Sequence, residues 1–171
     1  MELNRKVRFG NAIRYFVKKR ISLTKKNIVG IGVIVFIGLF IMPALAADRF
    51  VDHGDGTVTD TKTGLMWATK DNGSLINWPN ALLYCQNYGG GGHADWRMPT
   101  LAELTSLYDP GVKNRGGYHI AKIIDTTAAS FWASDTRGYE AGRFNFTYGQ
   151  VYWLRKSYSG STRVLPVRSG N

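Results

Sequence analysis

Residues 54–68 read Gly54-Asp55-Gly56-Thr57-Val58-Thr59-Asp60-Thr61-Lys62-Thr63-Gly64-Leu65-Met66-Trp67-Ala68. Two β-prone runs, 57–60 and 65–68, flank Thr61-Lys62-Thr63-Gly64, with the glycine where a bulged turn needs positive φ. The stretch predicts a β-hairpin. Downstream the period changes. Asn77 is placed to cap a helix whose first turn tolerates Pro79, and Trp78, Ala81, Leu82 and Cys85 share one face before Gly89 to Gly92 end it. This predicts a helix over 78–88. Thr100 and Glu103 form a capping box, Leu101, Leu104, Leu107 and Tyr108 supply an apolar stripe, and Asp109-Pro110-Gly111 stops the run, predicting a helix over 101–108. After a loop of roughly 20 residues, 131–134 reads as a strand. Residues 143–148 alternate with period two, turn at Gly149-Gln150 and return as 151–155, a second hairpin, and a last strand over 163–168 closes the domain. Strands, two short helices and strands again predict an α+β domain with its terminal strands close together.

Ahead of this domain, residues 28–45 run for 18 positions without a charge. They follow nine Lys or Arg and precede Ala46, Ala47 and Asp48. This is an export signal: Ala44 and Ala46 have the A-x-A spacing of a cleavage site before Ala47, and Pro43 breaks the apolar helix just before it. The run is also close to the ~20 residues that span a bilayer, so an uncleaved inner-membrane anchor is the alternative. Either way the basic flank stays inside and Asp48 is sent across. Residues 1–46 are thus a signal peptide or N-terminal membrane anchor, and 47–171 the exported domain, in the periplasm or at the cell surface.

The whole-chain charge of +10 suggests nucleic acid until it is located. Residues 1–46 hold +8 of it, which leaves the exported domain at +2 and excludes a nucleic-acid reading. Within the domain the charge is segregated, with net −4 over 47–110 and +6 over 111–171. The basic half also carries Tyr118, Tyr139, Tyr148, Tyr152, Trp153 and Tyr158, and flat aromatic faces beside Arg and Lys suit an anionic sugar. Arg143, Tyr152, Trp153, Arg155, Lys156 and Arg163 are the candidate ligand-binding residues. In 143–148, Arg143, Asn145 and Thr147 share one face and Phe144, Phe146 and Tyr148 the other. Across the turn, either Tyr152 and Leu154 or Val151, Trp153 and Arg155 can accompany Arg143, because sequence does not set the register.

Other chemical candidates are weaker. Asp52, Asp55 and Asp60 depart from the EF-hand pattern, and turn formation explains them, so no metal is expected. Cys85 is the sole cysteine, on a helix face turned to the core, with no histidine that sequence can pair to it. Gly89 to Gly92 lack the strand and Lys-Ser/Thr of a phosphate loop. Asp95-Trp96-Arg97 suits a structural role. Neither a catalytic constellation nor a cofactor is expected.

Several segments carry a resemblance in order: Arg49-Phe50, Gly54 to Asp60, Thr63 to Trp67, Trp78, Ala81, Cys85, Asp95-Trp96-Arg97-Met98-Pro99-Thr100 with Glu103-Leu104, and Phe131-Trp132-Ala133-Ser134. Over about 48–168 the chain resembles the Lcl C-terminal domain family, catalogued as a domain of unknown function. The resemblance implies a C-type-lectin-like fold on surface or periplasmic proteins, among them a collagen-like adhesin whose C-terminal domain binds sulfated glycans. It also implies a C-terminal Arg-Cys-Val-Arg strand whose cysteine can pair with the helix-one cysteine. Here Leu165-Pro166-Val167-Arg168 stands in that place, so no intrachain disulfide forms, and Pro166 puts that strand at an edge or bulge. The Glu-Pro-Asn and Trp-Asn-Asp motifs of calcium-dependent lectins are missing.

Together these readings describe a C-type-lectin-like domain with two short helices and antiparallel β-hairpins behind a hydrophobic export helix. Its expected role is non-enzymatic and calcium-independent binding of an anionic or sulfated polysaccharide. Oligomers are possible and would raise the avidity for such a polymer. The alternatives are an envelope structural or protein-interaction domain that meets an envelope protein, and an enzyme using Cys85. Residues 28–45 contact the membrane if uncleaved. A reporter fused after Asn171 tests the topology: an export-dependent reporter is expected to be active and a cytoplasm-only reporter silent, and the reverse pattern overturns it.

Overall fold

The computed structural model describes residues 48–170, so the predicted export helix lies outside the described residues. No helix among the described residues is long and apolar enough to cross a membrane. The domain is α+β, with two helices and two antiparallel sheets.

The first sheet grows from the hairpin read above. Strand β2 (Thr57–Asp60) and strand β3 (Leu65–Ala68) pair Thr57 with Ala68 and Asp60 with Leu65, across a turn in which Gly64 takes a φ of 69°. Val58 and Trp67 stand directly opposite each other and are fully buried. Strand β1 (Phe50–Asp52) adds antiparallel to β2. Arg49, just before it, grips Asp60 with Nε and Nη2 at 2.8 and 2.6 Å, and Nη2 also donates to the Ser106 carbonyl.

Both helices start where their caps dictate. In α1 (Trp78–Gln86) the Asn77 side chain accepts from the Asn80 amide at 3.0 Å, and Ala81 and Cys85 are buried. In α2 (Leu101–Ser106) Thr100 and Glu103 form the capping box, and Arg97 holds Glu103 through both oxygens at 2.8 and 2.6 Å. Each helix ends two residues earlier than the periodicity predicts, with Asn87 and Leu107 closing the last turns.

The second sheet comprises β4 (Ser130–Arg137), β5 (Glu140–Asn145) and β6 (Gln150–Arg155) in that order. Strand β5 stops at Asn145 rather than 148, because the Asn145 side chain accepts from the Thr147 and Tyr148 amides and turns the chain. Both faces of this sheet are covered. Phe131 and Phe144 join Val58, Trp67, Leu104 and Val167 in the main core, while Trp132 and Ala141 pack with Ala81, Cys85 and Met98 in a smaller one.

The predicted closing strand over 163–168 divides its service. Arg163 lies along the edge of β4 away from β5, its amide donating to the Ser130 carbonyl at 3.0 Å and its carbonyl accepting from the Trp132 amide at 2.9 Å. Pro166 has no amide to give, and the regular strand β7 is only Val167–Ser169, at the far edge of the first sheet beside β3. The segment therefore links the two sheets. Asp71 anchors it: its carboxylate takes Arg163 Nη1 at 2.9 Å, the Thr127 amide at 2.6 Å and the Gly73 amide at 2.8 Å.

Two predictions follow from these buried charges. The Asp71 side chain is 2 % exposed and that of Arg163 is 15 % exposed, so Asp71→Ala leaves a buried cation uncompensated, an effect that typically costs about 3–5 kcal/mol. Urea unfolding should register that loss, and Asp71→Ala combined with Arg163→Met should recover much of it. The second concerns acid. Burial by itself raises the Asp60 carboxyl, but the Arg49 fork and the Lys62 amide outweigh it and hold the group below the usual carboxylate range. For Glu103 the Arg97 fork and the Thr100 amide outweigh burial in the same way. A carboxyl depressed in the fold contributes stability that is complete above its unfolded value of about 4 and lost as pH falls through the folded value. Urea midpoints are expected to decline below about pH 4, and less steeply in Asp60→Asn, which is already weakened at neutral pH.

Candidate functional site

The register of the second sheet decides which candidates meet. Arg143 lies opposite Tyr152, Gly142 opposite Trp153 and Glu140 opposite Arg155. Opposed residues share a face, so Tyr152 and Leu154 accompany Arg143, and Trp153 and Arg155 point to the other side.

On the Arg143 face the chain after β6 folds back. The Trp78 amide donates to the Lys156 carbonyl and the Ile76 amide to the Thr162 carbonyl, both at 3.1 Å, which fixes the two ends of the 156–162 loop against the start of α1. The Arg143 guanidinium carbon consequently sits 5.2 Å from the Tyr152 ring centre and 6.0 Å from that of Tyr158. Its Nη1 donates to Thr162 Oγ1 at 3.0 Å and more weakly to Ser161 Oγ at 3.4 Å. Ser161 also meets the Tyr158 hydroxyl at 3.0 Å. At φ 46° it is the one non-glycine in the left-handed region among the described residues, a conformation held here by its neighbours. No carboxylate pairs with Arg143 among the described residues, and its Nε is buried without a hydrogen-bond partner. Lys156 lies on the same side, its Nζ 5.1 Å from the ring of Trp78, which like Leu154 packs against the smaller core, and it donates to the Gly138 carbonyl at 3.1 Å.

The remaining candidates go elsewhere. Trp153 stacks under Arg137 at 4.5 Å, and Arg137 pairs with Glu140 at 2.9 Å, so that face carries its own aromatic–cation pair beside the exposed Arg155. Arg163 is turned inward onto Asp71 and belongs to the framework rather than to the surface. Tyr158, Ser161 and Thr162 complete the Arg143 cluster. Of these only Tyr158 carried a signal in sequence, as one of the aromatics of the basic half.

The other chemistry-bearing residues have structural partners. Cys85 is fully buried and its thiol is pushed up to about 12 by desolvation, so it is not a thiolate at neutral pH. Asp60 faces Arg49, Asp52 accepts from the Gly54 amide and Asp55 from Thr57, so the three aspartates do not converge. No group of three His, Cys, Asp or Glu placed to hold a metal occurs among the described residues. Trp96 is buried against Tyr88 and donates to the Gly90 carbonyl at 3.0 Å, and Asp95 accepts from Arg168 at 2.6 Å. Gly90–Gly92 form one 3₁₀ turn within this packing.

A search of curated proteins found no match to the chain. The sequence model of the Lcl C-terminal domain matches residues 56–168, from the turn before β2 into β7, a span that contains both sheets' hairpins and the Arg143 cluster. Since that span is well over half of the chain, the chain belongs to the Lcl C-terminal domain family.

Proposed function

We propose that this chain is an exported, non-enzymatic binding module, C-type-lectin-like in scaffold, that takes anionic or sulfated glycan at the cell envelope or surface without calcium. One observation carries the reading: Arg143 is held between Tyr152 and Tyr158 by neutral hydroxyls, with no carboxylate among the described residues to neutralise it. A guanidinium fixed by neutral groups keeps its full charge for an external oxyanion, and the loss of its side-chain freedom is already met by the fold. The tyrosine faces beside it suit the apolar face of a sugar ring, and Lys156 adds a second cation on the same side. The apolar run 28–45 and its basic flank support export. The buried, protonated Cys85 supports a role without covalent catalysis.

The test is a glycan array with the full chain in detergent, with and without chelator and at two salt concentrations. Binding to sulfated glycans is expected to survive the chelator and to weaken with salt. Arg143→Gln is expected to weaken it roughly 10- to 100-fold, the loss of one or two charge-assisted hydrogen bonds. Arg163→Gln should act on stability instead. Unchanged affinity in Arg143→Gln, or no glycan bound at either salt, overturns the reading, and salt-insensitive capture of an envelope protein supports the alternative.

A further inference from the structure

Three sheet edges are closed or short. The edge of β7 is covered by Arg97, whose amide and carbonyl exchange bonds with Val167 at 2.9 and 3.0 Å. Arg163 covers the edge of β4 in the way described above. Strand β1 is three residues long and ends on Asp52, and charge and brevity both blunt an edge. Strand β6 has none of these devices. It is six residues long, pairs with β5 without a register shift, contains no proline, and carries no charge between Gln150 and Arg155.

The phase of its hydrogen bonds is fixed. The Lys156 amide donates to the Tyr139 carbonyl at 2.9 Å, and in an antiparallel ladder such bonded pairs alternate. The main-chain groups of Gln150, Tyr152 and Leu154 therefore face β5, and those of Val151 and Trp153 face outward. The outward amides and carbonyls of Val151 and Trp153 have no partner among the described residues, and Val151 is 43 % exposed.

We propose that β6 is an association edge that pairs antiparallel with β6 of a second copy of this chain, on a two-fold axis through Tyr152. The free groups select this axis. A two-fold pairing must keep each face with its like, so the axis can pass only through a residue, and a one-residue slip is forbidden. Centred on Trp153, it sets Val151 against the partner's Arg155, whose carbonyl is already taken by the Tyr158 amide at 2.9 Å. Centred on Val151, it sets Trp153 against the partner's Gly149, whose amide is already given to Asn145 at 2.8 Å. Centred on Tyr152, it sets Val151 against the partner's Trp153 and the reverse, and the free amides and carbonyls of Val151 and Trp153 in both strands are satisfied at once. Val151 then packs against an indole on one face, a favourable β-branched to aromatic cross-strand pair, and the two Tyr152 side chains meet on the other. The cations Arg155 and Lys156 of the two copies fall at opposite ends of the paired strands, so charge does not oppose the contact. A symmetric contact of this kind closes at two copies.

Tyr152→Cys in the full chain, solubilised in detergent and treated with diamide, reads the contact directly. At the proposed axis the two Cα atoms form a non-bonded antiparallel pair about 4.5 Å apart, inside the span a disulfide accepts. The buried Cys85 gives no background. Tyr139→Cys, at a position 91 % exposed on the β4–β5 turn, is the control for random collision. Tyr152→Cys is expected to give several-fold more linked dimer than Tyr139→Cys. Adding Trp153→Pro, which removes an outward amide and no bond of the sheet itself, is expected to abolish the excess. Equal linking at the two positions, or none at Tyr152→Cys, overturns the proposal. Hydrogen exchange on the unaltered chain gives an independent reading: the Val151 and Trp153 amides should exchange slowly when concentrated and fast on dilution, and fast exchange at every concentration overturns it. Neither readout depends on a glycan.

Discussion

The ion pair between Asp71 and Arg163 is the contact on which the arrangement of the two sheets rests. Asp71 follows β3 of the first sheet, Thr127 precedes β4 of the second, and Arg163 lies on the closing segment between them. One carboxylate thus gathers three stretches of chain that share no secondary structure. It also explains the uneven charge of the domain. The acidic first half and the basic second half are joined by Asp71 with Arg163 and by Asp95 with Arg168, so part of the segregation is internal complementarity rather than surface potential. Arg143 stands out against this background because its partners are neutral.

Local elements were legible in the sequence because their causes are local. The first hairpin follows from alternation around Gly64, and both helix starts follow from Asn77 and from the Thr100–Glu103 box. Chain ends of elements were less legible where a side chain cut the pattern short. Asn145 looks like one more alternating residue until its carboxamide is seen accepting two amides of the turn. The run 163–168 reads as one strand, but Pro166 and the demand of two different sheets for main-chain partners divide it.

The candidate site was legible in composition and not in geometry. Arg143 and Tyr152 were named, yet strand periodicity places Tyr152 and Trp153 on opposite faces whatever the register, and only the observed pairing assigns Tyr152 to Arg143. Arg163 looked like a fourth surface cation because its partner is 92 positions earlier in the chain. Nothing local marks that distance. Ser161 and Thr162 carry no signal of their own, since their role comes from a loop whose two ends are pinned by main-chain bonds to Trp78, at the start of α1, and to Ile76 just before it.

Strand β7 completes the first sheet beside β3, setting Arg168 opposite Met66 across 102 positions of sequence. Such pairing makes the chain entropy of closure fall due before most of the native contacts can form, which places the domain among slow, topologically non-local folders. During synthesis the hairpin bearing Trp67 emerges first, with the β7 side of β3 open and its indole lacking Leu165 and Val167 to pack against. The nascent domain therefore holds an exposed strand edge and an apolar face until β7 is made, and the arrival of that strand, rather than growth of any earlier element, is the event that commits the domain to the native state.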